Sequence, residues 1–132
     1  MVNTLQFGCM LQKTILIIED SADLAESLED VLIIKGYKTL STKEGRTGLE
    51  IAIKEQPDLI LLDLRLPDIS GIEVMKELKL DDWGKKAKVL VITASDVNEK
   101  IISDLGVNAS DIVHKADSGI NDLIKKIELC LN

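Results

Sequence analysis

The fold of this chain is decided by Lys88–Ala94, KVLVITA, read with its two echoes, Thr14–Asp20, TILIIED, and Leu59–Asp63, LILLD. Each is an apolar run that stops at a polar residue: Thr93 in one, Glu19–Asp20 in the next, Asp63 in the last. A shorter run, Asp111–His114, stops at Lys115. Runs rich in β-branched residues, with no polar alternation, are the pattern of strands buried on both faces of a parallel sheet. Parallel strands of one sheet end at a common edge. Such a sheet would bring an acidic cluster, a hydroxyl and a lysine to one cavity.

Outward from these runs, helical spacing fills the intervals. Ser21 is suited to cap a helix carrying Leu24, Leu28, Val31 and Leu32, which Gly36 ends by permitting a left-handed turn. Tyr37–Leu40 reads as a short strand, and Gly45–Glu55 as a helix on Leu49, Ala52 and Ile53. Pro57 stops that helix and delivers strand three, Asp58–Leu62. Pro67 and Gly71 punctuate a loop before a helix over Ile72–Leu80. After a polar loop with Trp83 comes strand four, Val89–Ile92. Ser95 or Asp96 is expected to cap a helix reaching about Leu105, with Asn108 in the turn beyond it. Strand five is Ile112–His114, and Ser118 is expected to cap a last helix on Ile120, Leu123, Ile124, Ile127 and Leu129.

Five strands alternating with five helices predict an α/β fold, a doubly wound five-stranded parallel sheet with right-handed crossovers. In the order 2-1-3-4-5, strands one and three are neighbours at the switch point where such sheets bind ligands. Residues 1–12 read as an N-terminal extension or remnant, and 13–132 as the domain. The first twelve lack the basic lead of a secretory signal.

The bulk composition narrows the function. The chain has 132 residues, 45% of them apolar and 30% charged, which suits one globular domain. Aromatics are only 2%, so the core must be aliphatic. A net charge of −7 repels phosphodiester backbones, and no apolar run approaches a membrane span. Cys9, Cys130 and the single histidine, His114, cannot assemble a zinc set, so reduced thiols in a cytoplasmic protein are expected.

Glu19, Asp20 and Asp63, brought together, would repel unless a cation sat among them or one took up a proton. Without histidine or thiolate ligands the ion implied is hard and oxygen-preferring, Mg²⁺ or Mn²⁺. A carboxylate can attack phosphorus, and such transfer is catalysed mainly by positioning and charge neutralisation. Lys115 and the Thr93 hydroxyl are suited to hold phosphoryl oxygens.

These residues carry a resemblance. The acidic pair Glu19–Asp20 follows strand one. The segment Leu59–Gly71, LILLDLRLPDISG, places Pro67 and Gly71 four and eight positions after Asp63. Thr93–Ala94 ends strand four, and Lys115 follows strand five. Over residues 13–130 the chain resembles the CheY-like receiver domains of two-component response regulators. The resemblance implies that Asp63 takes a phosphoryl group from a histidine kinase or phosphotransfer protein. It implies that Glu19, Asp20, Asp63 and the Arg65 backbone carbonyl hold Mg²⁺, and that Thr93, the Ala94 amide and Lys115 contact the phosphoryl group. It also implies signalling to an unidentified output protein or domain through helix four, strand five and helix five, a surface that also serves homodimers. Chemistry is then limited to the chain's own phosphorylation and dephosphorylation, with no nucleic acid or membrane bound by this domain. Arg65 and Ser95 stand where the family tunes phosphoryl lifetime.

Three positions depart from the family pattern. The switch position, usually aromatic, is Ile112; Ala116 replaces a proline, and Asp117 a frequent phenylalanine. All lie toward the output surface, which predicts intact phosphoryl acceptance and unorthodox output. Three rivals remain in view. A haloacid dehalogenase-type phosphatase wants a second aspartate two residues after the nucleophile, where Arg65 stands. A receiver-like module that binds without phosphorylation has no need of a complete acidic site. A flavodoxin-like carrier wants a hydroxyl- and glycine-rich phosphate loop and aromatics that this chain lacks.

Overall fold

The computed structural model describes residues 12–94, 98–115 and 119–132. Its strands are β1 (Thr14–Ile18), β2 (Lys38–Thr42), β3 (Leu59–Asp63), β4 (Val89–Thr93) and β5 (Ile112–His114). Its helices are α1 (Ala22–Ile34), α2 (Gly45–Glu55), α3 (Gly71–Leu78), α4 (Glu99–Leu105) and α5 (Ile120–Leu131), with short 3₁₀ turns at Gly84–Lys86 and Ala109–Asp111. All strand pairs are parallel, in the order β2-β1-β3-β4-β5. The expected fold class and strand order are those observed.

The sheet is covered on both faces, which explains the unbroken apolar runs. Ile15, Ile17, Leu59, Leu61, Leu90 and Ile92 pack with Leu28 and Leu32 of α1 and with Leu123, Ile124 and Ile127 of α5. The alternate residues Leu16, Ile18, Ile60, Leu62 and Val91 pack with Ala52 of α2, Val74, Met75 and Leu78 of α3, and Leu105 of α4. Adjacent strand residues point to opposite faces, so an apolar residue is needed at every position. Each fully buried leucine or isoleucine contributes about 1.5–3 kcal/mol. Trp83 packs against the second cluster, as a cover over apolar surface should.

Several boundaries shift from the sequence reading, each for a local reason. β2 runs on to Thr42 because Ser41 and Thr42 pair with Ile17 and Ile18. α3 begins at Gly71, since the Ser70 side chain accepts the Glu73 amide, and it ends before Leu80, which is 81% exposed. α4 is capped by Asn98, whose side chain accepts the Ile101 amide; Ser95 and Asp96 lie outside the described residues. The left-handed residue after α4 is Gly106, not Asn108. Gly119 occupies the cap position of α5, and Ser118 lies outside the described residues. Ile53 and Leu129, expected on buried stripes, are exposed, and Leu131 takes the inner position on α5.

Candidate functional site

Alternation along the strands decides which polar residues can meet. Glu19 follows Ile18 and extends the β1–β2 ladder by donating its amide to Thr42 O at 3.1 Å. Lys115 does the same for β5, donating its amide to Thr93 O at 2.8 Å. Asp63 closes β3, beside β1 and opposite Ile92. By parity, Glu19, Asp63 and Lys115 share the face of the sheet covered by α1 and α5.

They do meet. The Lys115 ammonium donates to Glu19 Oε1 at 2.8 Å and to Asp63 Oδ2 at 3.3 Å. Glu19 is 1% exposed, Asp63 4% and Thr93 0%. Lys115 reaches them from a quarter-exposed position, beside a cavity of about 60 Å³ between α1 and α5. Glu19 Oε1 also accepts the Ser21 amide at 3.0 Å. Ser21 Oγ accepts the Leu24 amide, so the cap of α1 and the carboxylate are set by one turn. Asp63 Oδ1 accepts the Arg65 amide at 3.1 Å.

The electrostatics follow from depth. Burial pushes the Glu19 carboxyl above its ordinary value of 4.5, outweighing the Lys115 and Ser21 hydrogen bonds that pull it down; the Asp63 charge adds to the rise. Burial alone would lower the Lys115 ammonium, but the hydrogen bond and charge of Glu19, with Asp63 behind them, hold it above 10.5. Among the described residues, Glu19 Oε2 is buried with no hydrogen-bond partner. A buried carboxylate oxygen without a donor favours a cation.

The remaining expected residues are placed less tightly. Asp20 is exposed beside Glu19, and Arg65 and Ala94 are exposed on the loops after β3 and β4. Among the described residues no group of three acidic, histidine or cysteine side chains is gathered as a metal set. The ammonium of Lys115 stands against the two buried carboxylates instead. Thr93 is in the sheet register of His114 on β5, so its side chain lies on the face opposite the trio. Ile112 is half-buried and packs against the α2–α3–α4 cluster. Ser95, Ala116 and Asp117 lie outside the described residues.

Two features of the site are clear only in three dimensions. Asp68, on the loop after β3, accepts the amides of Gly45 and Arg46 at 2.7 and 2.9 Å. It caps α2 from across the molecule, because Glu44 at the cap position supplies no side-chain bond. The Arg46 amide leads in lowering the Asp68 carboxyl from 3.8 to about 2. The one signal in the sequence was a helix whose start, Glu44–Gly45, lacks a good cap of its own. Gly71 is the second feature. A Cβ there would lie 2.5 Å from the Asp63 carbonyl oxygen and 2.8 Å from Leu64 Cα. Glycine at that position lets α3 start directly against the acidic strand end.

A sequence profile described as the response regulator receiver domain matches residues 15–128. Over 84 residues the chain is 38% identical to the polar-differentiation response regulator DivK of Brucella anthropi, covering 64% of this chain and 68% of DivK. Over 122 residues it is 33% identical to the phosphate regulon transcriptional regulatory protein PhoB of Pseudomonas aeruginosa. That match covers 92% of this chain and 53% of PhoB, so the chain spans about half of that relative. The fold is similar to a CheY-like receiver domain protein of Methanospirillum hungatei, with TM-score 0.78, 28% identity, and coverage of 91% of this chain and 94% of that one. Chemotaxis response regulator CheY4 of Vibrio cholerae shares the fold at TM-score 0.80, with 24% identity and coverage of 91% and 99%.

Proposed function

The chain belongs to the response regulator receiver domain family, and from that membership we propose that it works by accepting a phosphoryl group on Asp63. The observation that carries this reading is the bridge from Lys115 to both Glu19 and Asp63. It holds one positive charge against a buried carboxylate at the edge where strands β1, β3, β4 and β5 all end.

In the proposed step an Asp63 carboxylate oxygen attacks phosphorus on a phosphohistidine of a histidine kinase or phosphotransfer protein. The new P–O bond forms as the N–P bond breaks, and that electron pair stays on the imidazole nitrogen. Lys115 exchanges its 3.3 Å contact with Asp63 for a phosphoryl oxygen while keeping Glu19. The Ala94 amide takes another oxygen, and Thr93 takes the third by turning its side chain over the end of β4 from the opposite face. Glu19, Asp20, Asp63 and the Arg65 carbonyl would hold Mg²⁺ or Mn²⁺; the orphaned Glu19 Oε2 and the all-oxygen donor set fit such an ion. When bound, the ion neutralises charge building on the phosphoryl oxygens. The Arg65 amide holds Asp63 Oδ1 and so orients the carboxylate; in this reading the chain acts only on its own phosphoryl group and is not a classical enzyme.

The reading extends to a cytoplasmic location and to an output partner contacted through α4, β5 and α5, with homodimerisation through that surface as one form of output. Among the described residues no helix is long and apolar enough to cross a membrane. Incubation with acetyl phosphate and Mg²⁺, followed by intact-mass measurement, tests the acceptor. One phosphoryl group is expected on the wild type and none on Asp63→Asn. Label still attached at this site in Asp63→Asn would overturn the assignment.

A further inference from the structure

A cavity of about 610 Å³ opens at the opposite edge of the sheet, where strands begin. Leu59, the first residue of β3, and Met75 lie buried beneath it, and Val89, Val107 and the exposed Leu129 supply its apolar wall. It lies four strand residues from Asp63 and Thr93, roughly 13 Å at about 3.3 Å per residue. The volume falls within the range of about 300–1,000 Å³ typical of small-molecule sites.

Its charge runs against that of the chain. Lys79, Lys85, Lys88 and Lys126 line it against two carboxylates, that of Asp111 and the terminal one on Asn132, although acidic residues outnumber basic ones 23 to 16 overall. Two of these ammonium groups are fixed in place. Lys79 donates to Leu105 O at 2.9 Å and Gly106 O at 3.1 Å, closing the end of α4. Lys88 donates to Cys130 O at 2.8 Å, at the end of α5. A helix carboxyl end offers about half a negative charge, so each full positive charge is only partly offset. Lys85 is exposed and pairs loosely with exposed Asp82 at 3.8 Å, a contact of small weight. Lys126 stands half-buried on α5. An apolar wall of Val89, Val107 and Leu129 beside a rim of cations suits a ligand with an apolar body and a dianionic head.

We propose that this cavity is a binding site for small organic phosphates, separate from the carboxylate site. Residues 106–108, just past α4, and Lys126, Leu129 and Cys130 of α5 line it, so an occupant touches α5 and the segment between α4 and β5. The test is titration of ¹⁵N-labelled full-length protein at low ionic strength with phenyl phosphate, adenosine 5′-monophosphate and glucose 6-phosphate. Inorganic phosphate and adenosine serve as the separated head and body. At least one organic phosphate should shift the amides of Val107, Asn108 and Cys130 saturably, at least tenfold tighter than head or body alone. Lys85→Glu/Lys126→Glu, which removes no helix-closing lysine, should weaken that binding at least tenfold with an unchanged unfolding midpoint. Lys85→Gln/Lys126→Gln should weaken it less, and serves in its place if the charge reversal unfolds the chain. No saturable shift by ten millimolar, equal affinity in the variants, or shifts centred on Asp63 and Lys115 would each overturn the proposal.

Discussion

Lys115→Met should destabilise the domain by about 2 kcal/mol at pH 8, and by clearly less at pH 5. The side chain makes two charge-assisted hydrogen bonds, at 2.8 and 3.3 Å, to Glu19 and Asp63. Such bonds contribute about 1.5–3 kcal/mol each, and the longer one belongs at or below the lower end. Against a gross loss of roughly 3–4 kcal/mol stands the relief of no longer burying an ammonium, partial because Lys115 stays a quarter exposed. A net of about 2 kcal/mol corresponds to a fall in melting temperature of about 6–8 °C for a domain of this size. The pH dependence follows from Glu19. Burial already raises its carboxyl above 4.5, so the ionised form costs stability above that value, and the cost fades as the pH falls and the group takes up its proton. Removing the ammonium raises the carboxyl further and moves the recovery to higher pH. Urea unfolding with EDTA present, at both pH values, measures the effect. Glu19→Gln/Lys115→Met should return to within about 1 kcal/mol of the wild type. A midpoint unchanged at pH 8, a loss equal at both pH values, or no rescue by the added Glu19→Gln change would refute the reasoning.

Other outcomes follow from the same geometry. Gly84→Ala would drive a Cβ into the Leu78 carbonyl oxygen, a backbone atom that cannot yield; a loss above about 3 kcal/mol in urea is expected, at the extreme for single substitutions. Gly71→Ala should cost stability and also slow acetyl phosphate labelling of Asp63, because the clash falls on the Asp63 carbonyl; normal labelling would show that the strand end tolerates the shift. Leu61→Ala, at a site with 0% exposure, should cost about 2–5 kcal/mol in chemical denaturation. The Asp68 carboxylate is depressed from 3.8 to about 2, so its contribution is complete above 3.8 and is lost as the pH falls toward 2. The gap in unfolding midpoint between wild type and Asp68→Asn should therefore be full at about pH 5 and close near pH 2. A gap that persists there would remove the charge from the explanation.

The chain's local chemistry was enough for the architecture and for the kinds of residue at the site. Apolar runs without alternation mean strands buried on both faces, and four of them with one short polar strand, separated by helical spacing, leave few topologies, so the parallel sheet and its switch point were legible. Ser21 and Gly36 marked helix ends because their conformational preferences act within a few residues. Where two local signals competed, the reading slipped: Asn108 looked suited to a left-handed turn, but Gly106 adopts it without a Cβ penalty. Long-range partnership was settled only in the folded chain. Lys115 and Glu19 are 96 residues apart, and Lys115 and Asp63 are 52 apart. Strand register and depth decide that Lys115 reaches both while Asp20 stays exposed. Asp68 caps a helix 22 residues upstream because the loop after β3 lies over it. The lysine-lined cavity likewise gathers side chains from the ends of separate elements. Periodicity and capping are written in neighbouring residues; desolvation and hydrogen bonding depend on what the packed sheet brings within about 3 Å.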